Sequence, residues 1–167
     1  VVSIQEKLEG WPAGIRLLSQ SLKHSDDLDR LMAGMKGGFA TIVDYLMEEV
    51  LSHQREEIQD FLLRTSLLEQ LSGPLCDALL DRDDSQLILE SLEKNNLFVI
   101  PLDNERQWYR YHHLFADLLR QLLQREARDL VPELHRRASG WYERNGLVSE
   151  AVSHALAAAD LQRAAYL

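Results

Sequence analysis

His112 and His113 stand side by side immediately after an aromatic run, and they are the first candidates for proton, metal or anion chemistry. Neighbours at a strand end point to opposite faces, so the pair is not expected to chelate one metal ion together. Asp81, Asp83 and Ser85 fall on the first three ligand positions of a calcium loop. However, Gln86 replaces the required glycine and Leu92 replaces the terminal glutamate, which argues against calcium. The sequence has no Gly-Lys pair, so a phosphate-cradling G-x-x-x-x-G-K-[ST] loop is excluded, and H-E-x-x-H and G-x-S-x-G are also missing. By composition alone a histidine here is a structural hydrogen-bonding group. Trp108, Tyr109 and Tyr111 are likewise expected to fill the packed face of a small hairpin. No catalytic or metal residue is assigned, and the chain is not expected to be a complete enzyme.

The bulk properties narrow the partners. Of 167 residues, 46% are hydrophobic and 27% charged, enough for a packed core with an ordinary soluble surface. No run approaches the ~18 apolar residues of a membrane helix. Val1-Val2-Ser3-Ile4 has no basic-then-apolar leader and no initiator Met. The expectation is a cytoplasmic piece of a longer chain, without a membrane partner. Cys76, the single cysteine, excludes an internal disulfide and a cysteine-rich zinc site. A formal charge of −9 opposes polyanions, and Lys7, Lys23, Lys36 and Lys94 are scattered.

The elements that would position these residues are mostly helical. Ile4, Leu8, Trp11, Ile15, Leu18 and Leu22 recur at helical spacing, interrupted by Gly10 and Pro12. This predicts a helix, a Gly-Trp-Pro corner with Pro12 in the next first turn, and a second helix to about Ser21. Residues 24–38 turn polar and then glycine-rich, as a linker does. A helix over Phe39–Leu51 follows, and Ser52 is expected to cap the next one, with Glu56 and Glu57 facing its positive end. Ser72-Gly73-Pro74 opens a short helix, and Asp84 or Ser85 caps a third that ends at Asn95-Asn96. Leu97–Ile100 and Gln107–Tyr111 flank a polar turn and predict a β-hairpin. A strong helix with Leu114, Leu118, Leu119, Leu122 and Leu123 comes next. Then Val131–Arg144 places Leu134, Ala138 and Trp141 inward, and an alanine-rich helix spans Glu150–Ala159.

Three helices and a two-stranded hairpin are the order of a winged-helix domain. The expected fold is mainly α: a helical bundle with a hairpin wing, preceded by a helical segment and followed by a helical pair. Its third helix would be the DNA reader, yet it carries Glu90 and Glu93 against Lys94, behind Asp81, Asp83 and Asp84. Carboxylates facing phosphates have the wrong sign for DNA binding.

Gly10-Trp11-Pro12-Ala13-Gly14 and Ile15-Arg16-Leu17-Leu18 resemble the signature that closes the nucleotide-binding region of large MalT-like, ATP-dependent LuxR-type transcription regulators, members of the signal-transducing ATPase class. Tyr45–Leu51 and Phe61–Ser66 look like the start of that family's winged helix, and Tyr111-His112-His113-Leu114-Phe115 like its Tyr-His-x-Leu-Phe motif. Asn145-Gly146, Glu150-Ala151 and His154-Ala155-Leu156 resemble the first helical pair of its sensor arm. The resemblance divides the chain into residues 1–25 (end of the helical subdomain of a nucleotide-binding region), 26–38 (linker), 39–127 (winged helix) and 128–167 (first helices of a TPR-like arm).

Such proteins join an ATP-binding domain, this winged helix, a superhelical sensor and a C-terminal DNA-binding helix-turn-helix. The resemblance implies a winged helix that clamps within the molecule and does not read DNA. Pro12 would contact adenine and His112 the phosphate of ADP. No cofactor belongs to this stretch alone; ADP or ATP is expected in the full-length protein. In plant immune relatives an acid usually follows the histidine, whereas His113 stands here, which leaves open which of the two faces nucleotide. Implied partners are the upstream ATPase domain and the downstream arm, with self-association on activation. A stand-alone winged-helix adaptor is the alternative, and a DNA-binding repressor fragment a further one.

Overall fold

The computed structural model describes residues 50–95 and 97–167. The expected helices before residue 50, the Gly10-Trp11-Pro12 corner and the linker at 26–38 lie outside them. Residues 50–54 belong to a first unit, Val1–Gln54, and close a helical stretch at 50–52; Arg55–Leu167 form the second unit.

Helix α1 spans Glu56–Thr65, with Glu56 and Glu57 at its positive end, Arg64 at its negative end and Phe61, Leu62 and Thr65 buried. Ser52 is not its cap. It still belongs to the preceding helical turn, and the cap position falls to Arg55, which is extended and makes no side-chain cap. The Arg55 carbonyl accepts from Ile58 and Gln59 N–H instead.

Helix α2, Gly73–Leu80, starts as expected, the Ser72 hydroxyl accepting from Leu75 N–H. Gly73 is required by packing, because a Cβ there would lie 2.8 Å from Gln86 Cβ on the next helix. Helix α3, Ser85–Lys94, buries Ile88, Leu89 and Leu92. Asp84 occupies its cap position, but the capping oxygen comes from α2: Asp77 Oδ1 accepts from Ser85 N–H at 3.0 Å. The Asp84 carboxylate turns to Arg82 at 2.6 Å.

The wing pairs β1 (Val99–Pro101) antiparallel with β2 (Tyr109–Tyr111), aligning Val99 with Tyr111 and Pro101 with Tyr109. The strand is shorter than the apolar run, for Leu97 and Phe98 precede it. Asp103 closes the loop by accepting from Gln107 and Trp108 N–H. Leu71 joins the outer side of β2 through two 2.8 Å backbone bonds with Tyr109. Tyr109 and Tyr111, two residues apart, are both buried, as a packed hairpin face requires.

Helix α4, His113–Glu126, buries Phe115, Leu118, Leu119, Leu122 and Leu123 and packs on α1. A short 3-10 turn, Arg128–Leu130, leads to α5, Val131–Arg144. Leu134 and Ala138 point inward as expected, but the buried aromatic is Tyr142, with Trp141 only half-buried. Gly146, at φ 75°, makes the turn into α6, Val148–Ala157. Ala151 and Ala155 are fully buried, and Ser139 Oγ donates to the Ala151 carbonyl at 2.8 Å. The pairing of 139 with 151 and of 135 with 154 makes α5–α6 an antiparallel hairpin with a small-residue seam. A further short helix, α7 (Leu161–Tyr166), is capped by Asp160 and was not anticipated. Among the described residues no helix is long and apolar enough to cross a membrane.

Candidate functional site

His112 sits where β2 ends and α4 begins. Its N–H donates to the Phe98 carbonyl at 2.7 Å, and its own carbonyl accepts from Ala116 N–H at 2.9 Å, so the residue is fixed on both sides. It is the N-cap residue of α4 and only 2% exposed, whereas His113 is exposed. The expectation that the two rings diverge fails here. Strand alternation stops at Tyr111, the backbone turns into the helix, and the rings stack at 4.6 Å with 27° between planes. No cluster of three metal-ligating side chains occurs among the described residues, Asp81 and Asp83 included.

Behind His112, Phe98 holds a left-handed φ of 61°. For a bulky residue this costs of order 1–3 kcal/mol and persists only where surrounding packing imposes it. That packing is the Phe98–Phe115 stack at 4.2 Å, with Tyr111 edge-on to Phe115 at 6.0 Å. Nothing in Leu97-Phe98-Val99-Ile100 signals this kink, because the run reads as a plain strand. The result is an imidazole held at a helix N-terminus, where backbone dipoles favour negative charge. Such a group can donate to an anion. Pro12, the other expected nucleotide contact, lies outside the described residues.

The α3 face is chemically different. Glu93 takes the wing's Arg106 through both oxygens, at 3.1 and 3.0 Å, and Gln86 donates to Glu90 and to the Arg106 carbonyl. A wing cation that could meet a phosphate is thus held by an acid of the helix that would enter a groove. At the entrance, Arg82 lies between Asp84 and Glu57 and over the Phe61 ring, and it holds the Asp84 carboxyl below its usual range.

α5 of the hairpin packs on α2 of the winged helix, and two side-chain contacts that sequence periodicity gave no sign of join them further. Arg137 of α5 donates to the Leu79 carbonyl near the end of α2 at 3.1 Å. Trp141 meets Trp108, beside the wing strand, edge-on at 6.3 Å.

The fold and site define a winged-helix domain joined to a helical hairpin. Residues 47–131 match the family model of the MalT winged helix domain, and the chain belongs to that family. It is 38% identical over 164 residues to the serine/threonine-protein kinase PknK of Mycobacterium tuberculosis, covering 98% of this chain and 15% of that protein. The HTH-type transcriptional regulator MalT of Serratia proteamaculans is 36% identical over 158 residues, covering 93% of this chain and 18% of the regulator. MalT of Klebsiella pneumoniae is 33% identical over 157 residues, with 93% and 17% covered. The chain therefore spans less than a fifth of the length of these relatives.

Proposed function

We propose that this chain is the relay segment of a MalT-like, ATP-dependent LuxR-type transcription regulator, passing nucleotide and inducer state between an ATPase domain and a TPR-like sensor arm. The family match over residues 47–131 carries the reading. The breadth of the relatives supports a non-catalytic role. A segment shared by a protein named a kinase and proteins named transcriptional regulators is not what makes either one a kinase or a DNA reader.

The electrostatics agree. With Glu93 holding Arg106 and Glu90 beside it, α3 offers phosphates little positive charge, so DNA binding belongs elsewhere in the full-length regulator. ADP or ATP is bound mainly by the upstream domain, since no Gly-Lys loop occurs in this sequence. In the closed state His112, and not the exposed His113, donates to a phosphate of bound ADP, while Pro12 contacts adenine. ADP favours a closed arrangement, and ATP with inducer releases it for self-association.

The test is His112→Gln and His112→Ala in the intact protein. A charge-assisted hydrogen bond contributes about 1.5–3 kcal/mol, so ADP should be lost at least about tenfold faster and the inducer requirement should relax. Unchanged ADP retention and inducer dependence in a folded His112→Gln protein would contradict the assignment.

A further inference from the structure

Away from His112, two other histidines meet across the seam between α5 and α6. His135 Nδ1 and His154 Nδ1 are 2.8 Å apart, and the His154 ring stacks on Tyr142 at 5.3 Å with 26° between planes. Two imidazole nitrogens at that distance are joined through one N–H, one ring donating and the other accepting on its lone pair. The contact thus tolerates one proton between the two Nδ1 atoms. A second would set two N–H groups and two positive charges head to head.

The surroundings hold the rings together. Ala151 and Ala155 are fully buried on the same seam, and the Ser139 bond to the Ala151 carbonyl fixes the helices one turn further along. A cavity of about 380 Å³ opens beside the pair, lined by Glu69 from the α1–α2 connection, Tyr142 from α5, and Glu150 and Ser153 from α6. On its other side His135 borders a cavity of about 210 Å³ with Arg120 of α4. Glu69 and Glu150 favour a protonated ring, whereas Arg120 and burial oppose it. Burial is the larger influence: it holds His135 below the usual histidine range and, with the His135 charge second, holds His154 at about 4.

We propose that His135 and His154 form an acid-sensitive latch on the α5–α6 hairpin, closed while the pair shares one proton and opened when both rings become cationic. This inference is independent of the nucleotide reading. Because the closed state depresses both groups, its stability is complete above the ordinary histidine value of about 6.5 and declines as pH falls from there towards 4. At pH 5.5 the opened His154 ring binds a proton that the closed ring, held at about 4, refuses, which favours opening about tenfold.

Hydrogen exchange on the intact protein, corrected for intrinsic rates, tests this at pH 7.5 and 5.5. Peptides covering residues 131–157 should lose protection about tenfold or more at the lower pH, while those covering 73–94 keep theirs. His154→Gln, or His154→Asn should the first not fold, should reduce the acid loss to under about threefold. Equal wild-type protection at both pH values, or an undiminished acid loss in the folded variant, would overturn the latch.

Discussion

Thr65 and Tyr111 show what one pair of hydroxyls does inside the winged helix. Thr65 Oγ1 donates to the Phe61 carbonyl at 2.7 Å and lies 2.7 Å from the Tyr111 hydroxyl, so one buried group ties α1 to the wing strand that leads into His112. Tyr111 is 4% exposed, and burial pushes its hydroxyl well above the usual tyrosine range, so it stays protonated and able to donate. Tyr111→Phe keeps the ring contact with Phe115 and removes only the hydrogen bond. It should cost about 1–2 kcal/mol in chemical denaturation without altering the fold; no loss would mean that the hydroxyl pair contributes nothing net. At this scale residue type alone read His112 as structural, the resemblance of Tyr111-His112-His113-Leu114-Phe115 made it a candidate, and neither indicated its setting. The stack with His113 and the left-handed Phe98 arise where strand geometry hands over to helix, and a period of two carries no information about that junction.

Secondary structure followed the sequence most closely where local chemistry and packing agreed. Ser72-Gly73-Pro74 opens α2, the hairpin pairs about its polar turn, and Gly146 turns α5 into α6. The misses have specific causes. Ser52 could not cap α1 because the preceding helical turn retains it, and Asp84 gave up its capping role to Asp77 because Arg82 competes for its carboxylate. Tyr142 displaced Trp141 from the core because α5 buries a face set by two neighbours, α2 and α6, which one helical stripe cannot specify. Gly73 gives a test in which propensity and packing disagree. Helix propensity alone would make Gly73→Ala stabilising by up to about 1 kcal/mol. The 2.8 Å approach to Gln86 Cβ should reverse the sign and destabilise by about 1–3 kcal/mol, read as a lower denaturation midpoint. A rise in the midpoint would show that α2 and α3 can separate at no cost.

For the whole molecule, the order of winged helix and helical hairpin was legible, while their mutual placement was not. That placement within the second unit combines the packing of α5 on α2 with Arg137 reaching the Leu79 carbonyl, 58 positions away in sequence, and Trp141 against Trp108. Such pairs leave no periodic trace in a single sequence. For the proposed relay, the Trp108–Trp141 contact would supply a path from the wing to α5. The proposed relay requires the winged helix to change position with nucleotide state. This is most directly measured by spin-label distances in the intact protein, from Leu87→Cys on α3 to a site in the upstream nucleotide-binding domain. Leu87 is 68% exposed, whereas Cys76 is buried with its thiol pushed above its usual range, so labelling falls on the new cysteine. The relay predicts one narrow distance distribution with ADP and a displaced or broadened one with ATP and inducer. The same distribution in every nucleotide and inducer state would contradict it.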